Sequence, residues 1–434
     1  MRASSPLWIA LGRLGASLLS FASAPVLARI LGPEGRGITA AVLAAAFIAP
    51  ALLSLGLPFW VRRQSLLGRG RAATRNSRLL IVLTTPVAFA IGVAASIALL
   101  PDVNATTLAA SITAIASAPL TVWWMCDEGR LLAVGAYRQV AWLLMVQPAV
   151  VLAAVLVGFF PGWVDVPFVL YASSAGAFLT VVYGCIAVAR VSTIGEDAEH
   201  RMRMLPTIAA SIKFYIPTLL EATAARLTST LALPLAGAYA AGLYSVAATL
   251  ASAPVALGHA AAASHARTLP DEDGVIRRDS EVRGVRQSLA IGIAVTAVGA
   301  PLSPWLVPLV FGQEFASSAV AVMVAMAGLI FLVPSQVLIT QYVLRDKAPV
   351  ITVAQLSTVA SQLILSVILA PLLGATGLAI AWLVGSIALF ITLTARSPWI
   401  TSGLGIAPRD FVEGARLLWK GGPEGDRRTG DTAP

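Results

Sequence analysis

Six ionisable side chains stand where their surroundings should forbid them. Arg13, Arg29, Arg36, Lys213 and Arg226 are the cations and Glu221 the carboxylate, each set inside or beside long runs of alanine, leucine, isoleucine and valine. A charge at the centre of an apolar membrane helix costs roughly 2.5 to 3.5 kcal/mol on insertion scales, so such groups usually serve a partner or a water-filled path. Arg29, Arg36 and Lys213 lie near the ends of their runs, where a long side chain can reach back to water or headgroups. Arg226 sits well inside its run, and Arg13 lies about two turns into the first one. Glu221 precedes Arg226 by an offset worth about 140° on a helix, so the pair fails the i+3 and i+4 geometry of an ion pair. The two are expected to face different neighbours or a shared cavity. Ser17 and Ser20 follow Arg13 one and two turns along the same face.

Composition says what must hold these residues. With 58% hydrophobic and 12% charged residues and a mean hydropathy of +0.83, the 434-residue chain cannot be a water-soluble globule. A hydrocarbon core about 30 Å thick takes roughly 20 apolar residues per helical crossing. About twelve such runs can be placed: residues 7–31, 37–60, 79–100, 105–126, 139–160 and 166–189, then 207–234, 239–264, 286–310, 316–344, 348–370 and 375–395. Their continuity predicts helices, because lipid offers no partner to backbone amides and a β-barrel would show short alternating segments. The fold class expected is therefore all-α integral membrane, in two six-helix lobes around a central cavity. The lobes would span 1–190 and 207–395, with a linker at 191–206 and a tail at 396–434.

On this placement Glu221 is the sole carboxylate within a span, and the first six spans hold none. Arg13 and the length of the first run argue against a cleaved signal, despite the small-residue Ala22-Ser23-Ala24. Cys126 and Cys185 are expected as free thiols, with no metal or cofactor motif. No soluble domain or large loop is left to house a catalytic site, so an enzyme is not expected.

Basic residues set the orientation. Of the 30 lysines and arginines, 25 fall at the termini and in alternate loops, and the opposite loops offer mainly Asp102, Asp165 and Glu314. The positive-inside rule places both termini in the cytoplasm, in a multi-pass protein of the cytoplasmic membrane. The formal net charge of +9 then reflects topology and attraction to anionic lipid, and no nucleic acid is expected as partner. In the tail, Phe411, Val412, Ala415, Leu418 and Trp419 share a helical face that is expected to lie flat on the inner leaflet.

The halves echo each other. Gly37 and Ala49-Pro50 recur 204 or 205 residues later as Gly242 and Ala253-Pro254. An even number of crossings per half makes the repeat parallel, related by an axis along the membrane normal. Pro25 and Pro217 would let the first and seventh spans bend.

The stretch Ala28-Arg29-Ile30-Leu31-Gly32-Pro33-Glu34-Gly35-Arg36-Gly37, followed by a small-residue helix ending Ser54-Leu55-Gly56-Leu57-Pro58, resembles the first hairpin of the polysaccharide transporter family. These are the O-antigen-type flippases of the multidrug/oligosaccharidyl-lipid/polysaccharide exporter superfamily. Gly242 to Ala247 and Pro308 to Phe315 fit the same pattern, and the likeness runs from about residue 7 to 395. It implies a two-lobed bundle that moves a polyprenyl-pyrophosphate-linked oligosaccharide between leaflets by alternating access, beside a polymerase and glycosyltransferases. Arg13 and Arg226 would then meet the anionic head group, with Ser17, Ser20, Glu221, Arg29 and Lys213 as further substrate contacts.

Rival readings stay open. A cation-coupled multidrug antiporter of the same superfamily depends on membrane carboxylates, for which Glu221 is the candidate here. A major-facilitator transporter also has twelve spans, but its basic loop carries an aspartate that RRQSLLGRGRAATR lacks. A polymerase or ligase would show a sizeable outer loop, and a membrane assembly partner without transport activity is the remaining alternative.

Overall fold

The structure is a computed structural model that describes residues 7–100, 103–191, 215–266, 278–345, 347–401, 405, 407–408 and 410–414. Lys213 falls outside them, as do most of the linker and the tail beyond Gly414. The described residues are almost wholly helical. In chain order the helices are α1 (Leu7–Ser54), α2 (Leu57–Leu66), α3 (Gly70–Leu99), α4 (Ala105–Ala116), α5 (Ala118–Ala133), α6 (Tyr137–Phe159) and α7 (Val166–Arg190). There follow α8 (Tyr215–Ala266), α9 (Arg278–Phe311), a 3-10 turn (Gln313–Ser318), α10 (Ala319–Leu344), α11 (Ala348–Leu373), α12 (Ala375–Ala395) and the short α13 (Pro398–Thr401).

Ten helical stretches are long and apolar enough to cross a membrane, against the twelve runs read from the sequence. The difference lies in α1 and α8, of 48 and 52 residues, each holding one glycine outside helical geometry. Gly32 has φ 63° and ψ −178°, and Gly237 has φ 81° and ψ 170°. That region is essentially open to glycine alone, so the chain can turn sharply there without a Cβ clash.

In α1 the turn reverses the chain. A Cβ on Gly12 would meet Ala141 at the start of α6, whereas Leu27 and Gly35 pack beside Val155, Val164 and Val166, at the far end of α6 and the start of α7. Pro58, just past the second arm, is back beside Gly129, near the end of α5 that leads directly into α6. Leu309, Leu372, Trp305, Trp163 and Phe160 are 66 to 90% exposed, an apolar exterior fit for lipid and not for water.

Two apolar cores are built on this frame. One joins the second arm of α1 to α2, α3, α4, α5 and α7 through Val42, Ala45, Ala49, Trp60, Ile81, Ile115 and Leu170. The other joins α8, α9, α10, α11 and α12, and Ala24 and Ala28 of the first arm of α1 reach into it.

The closest crossing is between α1 and α8. A Cβ on Gly37 would lie 2.0 Å from the Ala238 carbonyl oxygen, and one on Gly242 would lie 1.8 Å from that of Pro33. Each residue of the first contact sits 205 positions from its counterpart in the second, as do the turning glycines Gly32 and Gly237. The internal echo is thus a reciprocal contact about a pseudo-twofold, possible because glycine lets two backbones meet.

Two expectations are corrected. The third span begins at Gly70, and the fourth does not stop at residue 126 but continues through α5 to Ala133. Asp127, Glu128 and Arg130 are therefore helical, and the helical stretch that continues the fourth span carries two carboxylates, Asp127 buried and Glu128 half-buried. The helix continues because Arg78 of α3 meets Asp127 at 3.0 Å and because Leu131 is buried one turn further on. The described part of the tail, Asp410 to Gly414, is attached to the helical core. It docks on α9, where Arg286 donates to Asp410 at 2.6 Å and Gln287 donates to Glu413 at 2.7 Å. Phe411 and Val412 of that segment remain exposed.

Candidate functional site

The two ends of the α1 and α8 pairing differ. At the end marked by the turning glycines the halves are sealed: besides the glycine crossing, Arg29 of α1 donates to the Leu309 carbonyl near the end of α9 at 2.6 Å. Arg36 is buried in the same zone, where its Nη2 donates to Thr249 Oγ1 of α8 at 3.5 Å. The expectation that Arg36 escapes toward headgroups therefore does not hold. At the opposite end charged groups from both halves face open space.

Arg13, Ser17 and Ser20 form one exposed face of α1, as their spacing requires. Arg13 is close enough to Glu128 of α5 and to His259 of α8 for their charges to interact, and Arg62 of α2 acts on the same Glu128. His259 and Arg62 are exposed and Glu128 is half-buried. Four elements thus bring two guanidiniums, an imidazole and a carboxylate to one mouth.

Arg226 lies deeper. It is half-buried, and its guanidinium carbon stands 4.9 Å from the centroid of Phe47, on the second arm of α1. Cation–π contact of this kind offsets part of the desolvation cost while leaving the N–H donors free for an anion. Among the described residues it forms no ion pair. Tyr244, whose hydroxyl shares a 2.6 Å hydrogen bond with Thr228, is within electrostatic reach of it. Glu221 is exposed and makes no ion pair with Arg226. Arg226 and Glu128 are half-buried and Glu221 and His259 exposed, so all four keep contact with solvent.

Of the candidates named from sequence, Arg13, Ser17 and Ser20 share one exposed face of α1, Arg226 of α8 is half-buried against Phe47, and Glu221 is exposed on α8. Arg29 is separate from them, at the sealed end. Missed were Glu128, His259 and Arg62. Leu131 and Leu132 carried the signal for Glu128, since they extend the apolar periodicity of the fourth span beyond residue 126. Arg62 gave no such signal, because it follows the second span among other loop arginines, and His259, although inside the eighth span, is brought toward Arg13 only by the packing of α8.

Comparison with known proteins fits this architecture. Residues 4–266 match the model of a family described as polysaccharide biosynthesis protein. The chain belongs to that family. No curated protein matches the sequence itself. Among solved structures, the lipid II flippase MurJ in an inward closed conformation superposes with a TM-score of 0.69 at 11% identity, covering 95% of this chain and 92% of that one. An inward-facing multidrug resistance MATE family transporter of the MOP superfamily gives 0.62 at 14% identity, with 88% and 94% covered. Its outward-facing counterpart gives 0.61 at 13% identity, with 92% and 95% covered. This polysaccharide biosynthesis family member accordingly has the fold of that superfamily and is a multi-pass membrane protein.

Proposed function

We propose that the protein flips a polyprenyl-pyrophosphate-linked oligosaccharide from the inner to the outer leaflet of the cytoplasmic membrane, for surface polysaccharide biosynthesis, by alternating access. The observation that carries this reading is Arg226, a half-buried guanidinium of the second half that stacks on Phe47 of the first and has no carboxylate partner among the described residues. A cation about 4 Å from a unit negative charge gains roughly 4 kcal/mol at an effective dielectric near 20, and a pyrophosphate carries at least two such charges. Arginine's planar fork matches phosphate oxygens. Arg13 at the mouth receives the head group first, Ser17 and Ser20 bond the sugars or phosphates, and the lipid tail stays in the bilayer through the gap between lobes 1–190 and 207–395.

With 25 of the 30 basic residues on one side, the mouth and both termini face the cytoplasm, so the arrangement is open inward. Arg29, Lys213 and Glu221 complete the substrate-binding set, and a polymerase and glycosyltransferases are the natural neighbours. The test is replacement of the chromosomal gene by Arg13→Ala and Arg226→Ala variants. Surface glycan should fall at least tenfold, lipid-linked precursor should accumulate inside, and Arg→Lys should restore part of the export. Normal export by both alanine variants at wild-type protein levels refutes the assignment.

A second reading draws on Glu128 and Glu221, two carboxylates that keep contact with solvent, and on the likeness to MATE transporters. In a cation-coupled drug antiporter these would bind the coupling ion. Deletion that alters drug sensitivity while leaving surface glycans intact selects it.

A further inference from the structure

The sealed end holds a charge whose partner there is poor. Arg36 is 9% exposed, its Nη2 reaches Thr249 Oγ1 at 3.5 Å, and its Nε has no acceptor. Among the described residues it makes no ion pair. A guanidinium offers five donors, and burying it with one long bond is costly. A crossing that only had to close would be cheaper with an apolar or hydroxyl side chain at this position, next to Gly37, where the backbones already touch. Arg29, seven residues earlier, lies at the same end and spends its Nη2 on a carbonyl of the other half.

The arrangement becomes economical if the sealed state is one of two. We infer that Arg36 is a second anion site, closed off while α1 and α8 touch and presented to the space between the halves when they part at this end, where Arg29 also lies. Its ligand class is a phosphate or pyrophosphate group, and the inference rests on the transport reading above. In the present state the site is inaccessible, so the head group occupies Arg13 and Arg226 first and Arg36 afterwards. The poorly satisfied charge also biases the crossing toward opening, and an arriving anion supplies the differential affinity that stabilises the opened state.

Glu34 and Tyr239 give a ruler. Both are exposed, and they are equivalent positions just past the two turning glycines. The full chain, with Cys126 and Cys185 replaced by alanine and spin labels at Glu34→Cys and Tyr239→Cys, is reconstituted in phosphatidylcholine vesicles. Inorganic pyrophosphate is then titrated on the sealed-end side. The long-distance population should rise with pyrophosphate. Arg36→Gln should raise the half-maximal concentration at least tenfold, and Arg36→Lys, which keeps the charge but loses the fork, about threefold. An unchanged half-maximal concentration in Arg36→Gln, or in Arg36→Lys should the glutamine variant not fold, overturns the inference. So does widening that follows added phosphatidylglycerol but not pyrophosphate, which would make Arg36 a headgroup anchor. Failure of the transport reading looks different, because glycan export would then be indifferent to deletion of the gene.

Discussion

Adding one methyl group at the α1 and α8 crossing should open the sealed end. In Gly37→Ala the new Cβ would stand 2.0 Å from the Ala238 oxygen, and in Gly242→Ala 1.8 Å from that of Pro33. Ordinary contact begins near 3.4 Å, so the helices must separate by about 1.5 Å, and both obstructing atoms are backbone. Overpacking of this kind costs typically 1 to 3 kcal/mol. The penalty falls on the sealed state alone, because the parted state has no contact there. At about 1.4 kcal/mol per factor of ten, the sealed population relative to the open one should drop roughly 5- to 150-fold. Distances between spin labels at Glu34 and Tyr239 in reconstituted protein read that ratio directly. The contact is reciprocal, so either substitution relieves the other, and the double variant should cost less than the sum of the two. A folded Gly37→Ala protein with the wild-type distance distribution refutes the reasoning, and so does strict additivity.

Three other outcomes follow from named contacts. Asp127→Ala leaves Arg78 without its carboxylate in the first lobe and should destabilise the protein by about 3 kcal/mol, seen as a lower midpoint of thermal unfolding in detergent. Asp127→Asn with Arg78→Gln should recover more than half of that loss. Gly237→Ala forces a side chain into a backbone region closed to it and should cost about 1 to 3 kcal/mol, with a larger loss than Gly258→Ala, whose Cβ would meet atoms only at 3.3 Å or beyond. Asp410→Ala removes both the Arg286 ion pair and the acceptor for the Ala407 N–H, so limited proteolysis should release the tail faster while the helical core stays intact.

Most of the membrane architecture can be read along the chain, because helix formation in lipid is a local necessity. Each apolar run must satisfy its own backbone, so run length, proline and glycine punctuation announce where helices stand. The 204- or 205-residue echo likewise announced the equivalence of Gly37 and Gly242. The fourth span shows where this reading stops. Its apolar run ends at residue 126, yet the helix goes on through Asp127 and Glu128, because Arg78, 49 positions away, makes the first of them tolerable there.

The site divides along the same line. Arg13, Ser17 and Ser20 were legible as one face, since helical spacing is enough to align them. That Arg226 faces Phe47, that Glu128 and His259 join Arg13, and that Arg29 and Arg36 hold the sealed end depend on which helices meet. Such contacts join residues up to 280 positions apart, and no local rule encodes them. Composition and periodicity thus decided that this chain crosses a membrane many times and carries basic side chains within its apolar runs. Only the packing of α1 on α8 decided which of those charges stay exposed and which are locked away, because a guanidinium's role is set by the groups around it.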